Sequence, residues 1–267
     1  YPWMVSLDGS EQCESWDIGL CETHITADVA YAADRYREIT GDGTLDGALS
    51  QLYLETARYW LSRFTWEPDR NRYSSFFVKG PDEYCGAAVN NTFTNYLARH
   101  NARLALNHAA MDEAERERLQ HFCEHVTLLY DPQRHLYLQD ELFDRLEPMP
   151  DGHAPGEPLY KSVCFDRMQR YRALKQADLV QLMTMFPDDF SDGEKRAVWD
   201  RYEPLTVHDS SLSFGIHALL AFRLGLEKVG WRYFERSLCF DLSDELGNTG
   251  REGIHMAALG ASWQALV

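Results

Sequence analysis

The sequence predicts an all-α domain, a toroid of paired helices with one small β-hairpin. Three observations predict it. Apolar residues recur at helical spacing through most of the 267 residues. The helical stretches follow one another in pairs, with long polar loops recurring between them. One short stretch breaks the pattern and reads as two β-like arms around a turn. A helical bundle would satisfy the first observation. The long loops favour the toroid, a form that gathers its functional loops at one end of the ring.

The elements follow in order. Residues 22–40 place Ile25, Val29, Ala32, Ala33 and Tyr36 on one side, and Gly41 stops the helix. Residues 45–64 form a second amphipathic helix. FTWEPDRNRYSSFFV (64–78) is the hairpin, with PDRN at its tip. Helices are expected over 90–110, with Asn or Thr as cap, and over 112–130. LEPMPDGHAPGEP (146–158) is a Pro/Gly-rich loop, of a length that usually carries function. Further helices are expected over 172–186, 209–225, 226–242 and 251–267.

The formal net charge is −16, which argues against a nucleic-acid surface and against a basic face for membranes. An anion that binds here needs a local site. No apolar run approaches the roughly 18 residues of a membrane span. YPWMVSLDGSEQC at the start lacks the basic and apolar regions of a signal peptide. Residue 1 is not Met, and the chain is expected to be part of a longer protein. The cysteines at 13, 21, 85, 123, 164 and 239 form no C-x-x-C pair. Reduced, mostly buried thiols in a cytoplasmic protein are expected.

Four motifs bear on chemistry. In GPDEY (80–84), Gly80 and Pro81 fix the backbone ahead of Asp82 and Glu83. A carboxylic acid beside aromatic groups is a candidate general acid, because desolvation disfavours its anion. Pro-Asp is also common in ordinary turns, and the pentapeptide alone favours that reading. HDSSLS (208–213) puts Asp209, Ser210 and Ser211 at a helix start, where free N–H groups and hydroxyls suit a phosphate. Simple capping explains the same residues. GREGIHMAALGASW (250–263) offers Gly253 for a close backbone approach, His255 at a further helix start, and a small-residue face of Ala257, Ala258, Gly260 and Ala261. LKQADLV (174–180) offers Lys175 and Gln176 as fixed donors and acceptors for a sugar; a solvated lysine at a helix edge is the plainer alternative. His121 and His125 lie four apart but lack H-E-x-x-H, and no P-loop, dinucleotide fingerprint or G-x-S-x-G elbow is present.

In this order the motifs resemble glycoside hydrolase family 65, the inverting α-glucoside phosphorylases that act on maltose, trehalose, kojibiose and nigerose. The resemblance rests on YPW (1–3) with GSE (9–11), CETHITADVAYA (21–32), ETARYW (55–60), GPDEY with VNNTFTNY (80–84 and 89–96), KQAD (175–178), YEPLTVHDSSLS (202–213) and EGIHMAALGASW (252–263). It spans essentially the whole chain, 1–267, and implies part of an (α/α)6-barrel catalytic domain. The first barrel helices, the flanking β domains and a tryptophan-aspartate glucose motif of the family lie outside this chain. The segment alone is expected to be inactive, with exposed barrel faces.

The resemblance further implies that Glu83 is the general acid, with Asp82 in support. Lys175 and Gln176 would bind glucose. Ser210, Ser211, Gly253 and His255 would cradle phosphate. The substrates would be an α-linked disaccharide and inorganic phosphate, with no metal or organic cofactor, and the full-length protein would be a homodimer, as family members often are. Two readings stand beside it: an inverting α-glucoside hydrolase with Glu252 as base, and a non-catalytic carbohydrate-binding remnant. Cys85 departs from the His that the family often carries after GPDEY, which puts the acceptor side of the site in question.

Overall fold

The computed structural model describes residues 1–149 and 158–267, the side chains of Arg251 and Glu252 excepted. The central part of the Pro/Gly-rich loop at 146–158 therefore lies outside the described residues. The chain is mostly helical with small sheets, and it divides into two compact units. The first comprises residues 1–80, 87–129 and 139–142; the second comprises 81–86, 130–138 and 143–267.

The first unit holds α1 (Trp16–Cys21), α2 (Ile25–Thr40), α3 (Asp46–Arg63), β1 (Phe64–Glu67), β2 (Arg72–Val78), β3 (Ala88–Val89), α4 (Thr92–His108) and α5 (Glu113–His125). Gly41 ends α2 as expected, in the left-handed region at φ 65°, with its N–H on the Arg37 carbonyl. Asn91 caps α4 by accepting from Thr94 N–H. On α3, Leu49, Tyr53, Thr56, Ala57 and Trp60 form one buried stripe at helical spacing. α3 packs on α4, and the Trp60 indole there donates to Asn101 Oδ1 at 3.0 Å. The hairpin is present: β1 pairs antiparallel with β2, from Phe64 opposite Ser75 to Glu67 opposite Arg72. Asn71 turns its tip at φ 50°. Lys79 is fully buried and ion-paired to Asp17 at 2.6 Å.

The second unit contains the short hairpin β4 (Tyr130–Asp131) and β5 (Leu136–Tyr137). It also holds β6 (Glu147–Pro148), α6 (Phe165–Met168), β7 (Tyr171–Arg172), α7 (Asp178–Met185), α8 (Asp192–Tyr202), α9 (Ser211–Arg223), α10 (Glu227–Cys239), α11 (Thr249–Glu252) and α12 (Met256–Leu266). β6 pairs parallel with β7, and Leu174 makes a parallel bridge to Thr206. α9, α10 and α12 pack on one another. They approach closely at Gly215, where a Cβ would lie 2.5 Å from Ala261 Cβ and 3.0 Å from Ser237 Oγ. Only glycine fits there.

The structure corrects several expectations. The helix expected over 172–186 begins only at Asp178, because Leu174 is drawn into a bridge and Lys175 into the acid turn: Leu174 N–H donates to Leu205 O and Val207 N–H to Leu174 O, both at 2.9 Å, and Lys175 N–H donates to Asp82 Oδ1. The stretch expected as one helix over 251–267 is broken at Gly253 (φ 93°), and α12 starts at Met256. Its packed face is Ala258, Ala261 and Ser262, while Ala257 and Gly260 are exposed. α8 was not among the expected helices, although Ser191 and Glu194 form a complete capping box at its start. Of the cysteines, all free, Cys21 and Cys85 are buried, whereas Cys164 and Cys239 are exposed. Large apolar side chains stand exposed on α10 and α12, among them Trp231, Met256 and Trp263. Among the described residues, no helix is long and apolar enough to cross a membrane.

Candidate active site

The acid turn, 81–86, lies wholly within the second unit. Asp82 has no solvent exposure and organises it. Its Oδ1 accepts from the backbone N–H of Tyr84 at 3.2 Å and of Lys175 at 2.7 Å. Its own N–H donates to Asp178 Oδ1 at 2.7 Å. One buried carboxylate thus fixes both GPDEY and KQAD. Glu83 projects from the turn, and its Oε1 accepts from Lys175 Nζ at 2.7 Å. Gln176 Nε2 donates to the Pro81 carbonyl at 2.7 Å, and Gln176 Oε1 is buried without a hydrogen-bond partner among the described residues. Glu83, Lys175 and Gln176 are therefore brought together. Lys175 is neither helical nor at a solvated helix edge.

Tyr84 packs its ring with Leu159, Met168, Tyr171 and Ala173. Its hydroxyl donates to Asp209 Oδ2 at 2.7 Å, and the same oxygen accepts from Leu159 N–H at 2.6 Å. Burial, and then the Asp209 carboxylate, push the Tyr84 phenol far above its ordinary range, so it stays a donor. Cys85 points inward: it is buried, and its thiol donates to Asp82 O at 3.0 Å. The departure from the family pattern at this position is thus packed beneath the turn.

Asp209 leads into α9. Ser210 Oγ accepts from Leu212 N–H at 3.2 Å, so this serine does cap the helix, and Ser211 follows half-buried. The residue before them, His208, sits in the left-handed region at φ 59°. Its Nδ1 meets Ser213 Oγ at 2.8 Å and its Nε2 meets the Tyr233 hydroxyl at 3.1 Å. Tyr233 in turn donates to Glu203 Oε1 at 2.6 Å. Burial lowers the His208 pKa to about 2, with His217, Arg236 and Arg232 adding to the shift, and lowers that of His217 to about 4. Both rings are neutral at physiological pH.

His255 stands just before α12. Its Nδ1 bonds Asp241 Oδ1 at 2.6 Å, and its backbone N–H donates to Asp241 Oδ2 at 2.8 Å. That bond to the imidazole is the largest influence holding the Asp241 carboxyl below its ordinary range. With Nδ1 engaged, Nε2 is the ring nitrogen left for an external ligand. A Cβ at Gly253 would meet none of the described residues within 4 Å, and its positive φ calls for glycine. Ser210 lies five residues before Gly215, and His255 lies six before the Ala261 that Gly215 touches. At 1.5 Å per residue, each helix start is within roughly 9 Å of that shared contact. The Glu252 side chain lies outside the described residues.

Two features escaped the sequence reading. Asp241 has no motif around it. His208 was visible within HDSSLS, but its strained backbone and buried network were not.

The model of the glycosyl hydrolase family 65 central catalytic domain matches residues 1–264. The chain belongs to this family. It is 31% identical over its whole length to the kojibiose phosphorylase of Halothermothrix orenii, covering 38% of that protein. It is likewise 31% identical over its whole length to the maltose phosphorylase of Bacillus subtilis, covering 37% of it. The chain thus spans less than two fifths of these relatives. Among solved structures, a putative kojibiose phosphorylase from the human microbiome superposes with a TM-score of 0.88 at 27% identity, over 97% of this chain and 38% of that one. These family 65 relatives are named as phosphorylases.

Proposed function

We propose that this chain carries the catalytic centre of an inverting disaccharide phosphorylase. Phosphate attacks the anomeric carbon of an α-linked glucosyl unit while the bond to the leaving oxygen breaks. Glu83, protonated, gives its proton to that oxygen and ends as a carboxylate. The products are β-glucose 1-phosphate and a free sugar. Lys175 and Gln176 bind the glucose, the former exchanging its bond to Glu83 for one to a sugar hydroxyl. Ser210, Ser211, His255 and the backbone at Gly253 hold the phosphate. No second carboxylate is required, because phosphate is itself the anionic nucleophile. The helices belong, in this reading, to an (α/α)6 barrel.

One observation carries the reading. Three segments are fastened side by side: the acid turn at 81–86, KQAD at 175–178, and the run from Leu205 into HDSS. A proton donor, sugar-type donors and a helix start suited to an anion thus share one framework. The test is to incubate the enzyme, as its gene encodes it, with kojibiose, maltose and trehalose, with and without inorganic phosphate. Glucose 1-phosphate should form only when phosphate is present, and Glu83→Gln should lower kcat by about 10²–10⁴-fold. Release of glucose without phosphate would mark a hydrolase, and binding of disaccharide without turnover would mark a non-catalytic remnant.

A further inference from the structure

We propose that Tyr84 and Asp209 form a positioning pair that sets the anion-binding turn against the acid turn. The inference rests on the phosphorylase reading above and adds residues to which that reading gives no part. Tyr84 directly follows Glu83, and Asp209 directly precedes Ser210. The 2.7 Å bond between their side chains is therefore a strut between the acid and the start of α9. It is a buried strut: Tyr84 is 4% exposed and Asp209 is 7% exposed. A bond to a carboxylate in such surroundings is among the stronger hydrogen bonds, and its loss leaves a poorly satisfied charge.

The other bonds to the pair make it directional. Leu159 N–H holds the same Asp209 oxygen from the 159–161 turn, and the Tyr84 ring is locked in the apolar cluster. Asp209 therefore has two fixed donors and cannot drift without giving up one. The acid turn has independent anchors in Asp82, Lys175 and Asp178. Losing the strut should then displace the Ser210 side more than the Glu83 side. Tyr84 and Asp209 touch neither substrate in this scheme; they act through the residues beside them.

Tyr84→Phe keeps the ring in its cluster and removes only the hydroxyl. In the enzyme as its gene encodes it, this variant should raise the KM for inorganic phosphate on the order of ten-fold, the effect of one hydrogen bond to a charged group. The KM for disaccharide should change less than about two-fold on the same argument. Asp209→Ala should also raise the phosphate KM, and the double variant should cost less than the sum of the two, because both break the same bond. A fall in Tm with an unchanged phosphate KM would mean that the bond is structural only and would overturn the proposal. So would equal rises in both KM values, or additive effects in the double variant. If the unmodified enzyme performs no phosphorolysis, the underlying reading fails and the proposal with it. If it does and Tyr84→Phe leaves the phosphate KM unchanged, the positioning pair fails alone.

Discussion

The acid turn and the His255 region belong to the same unit but are held in opposite ways. Around Glu83, a fully buried carboxylate, Asp82, accepts from the backbone of two separate segments, and Asp178 returns a bond to Asp82's own N–H. The ring and N–H of His255 make their described hydrogen bonds to a single carboxylate, Asp241, and follow an exposed glycine at positive φ. The first arrangement fixes a side chain through its backbone, from several directions. The second fixes one ring through one hydrogen-bonding carboxylate and an edge contact with Phe240, and leaves the chain on either side more open. In the proposed chemistry, proton transfer demands the tighter geometry, because a displacement of about 1 Å can cost a hundred-fold in rate. A multiply charged anion tolerates more latitude, since Coulombic attraction falls gradually with distance.

The comparison breaks first at Asp82. Asp82→Ala strands two buried backbone donors and should cost roughly 2–6 kcal/mol of stability, from about 1–3 kcal/mol for each unsatisfied group. In the protein that folds, kcat should fall about 10²-fold as Glu83 loses its placement. Asp82→Asn keeps the accepting oxygen and should recover most of both losses. Thermal unfolding and initial rates measure the two effects. Equal damage from both variants would mean that the charge matters here and the bracing does not.

Asp241 tests the looser side. Asp241→Ala removes the hydrogen-bond anchor of the His255 ring and leaves it only the edge contact with Phe240 among the described residues, and the KM for phosphate should rise about ten-fold, the effect of losing one charge-assisted bond, with kcat at saturating phosphate nearly kept. The sign of the pH effect follows from the lowered carboxyl pKa. Stability contributed by the ionised Asp241 is present above the ordinary carboxylate value and is lost as pH falls through the depressed folded value. The variant should lack that acid-side loss. A fall in kcat as large as that of Asp82→Ala would erase the contrast between the two regions.

What the sequence could reveal follows the same division. Local signals were legible: Gly41 as a helix stop, Asn91 as a cap, and PDRN as a hairpin tip all act within a few residues, and each stands where expected. The co-location of Glu83, Lys175 and Gln176 was accessible only through motif order, because the bonds joining them span more than 90 residues. Long-range pairing was hidden altogether. Residues 172–177 have helical composition, yet the backbone of Leu174 pairs with Leu205 and Val207, and that tertiary demand overrides local preference. Asp241 was hidden because a carboxylate gains meaning only from the imidazole 14 residues later that it holds. Cys85, which puts the acceptor side in question, is buried and donates to Asp82 O, a contact its neighbours in sequence do not announce. The capping box at Ser191 was legible by rule and was missed.

The smallest effect concerns His208, at the junction between the braced turn and α9. His208 and His217 are packed among Phe214, Tyr233 and Trp199, and their pKa values are lowered by burial. The unfolded chain takes up protons on both rings below its ordinary value near 6.5, whereas the folded chain refuses them until pH about 4 for His217 and about 2 for His208. Stability is therefore full above pH 6.5 and falls as pH drops through the window between these values. Each ring contributes a slope of about 1.4 kcal/mol per pH unit where its protonation differs fully between the states. His208→Asn tolerates the left-handed backbone and removes one titrating ring, so denaturant unfolding between pH 6 and 4 should show about half the slope from this pair. An unchanged slope would mean that His208 takes a proton in the folded state. The turn before Ser210 would then be as loosely held as the His255 region, and the proposed strut at Asp209 would be its main restraint.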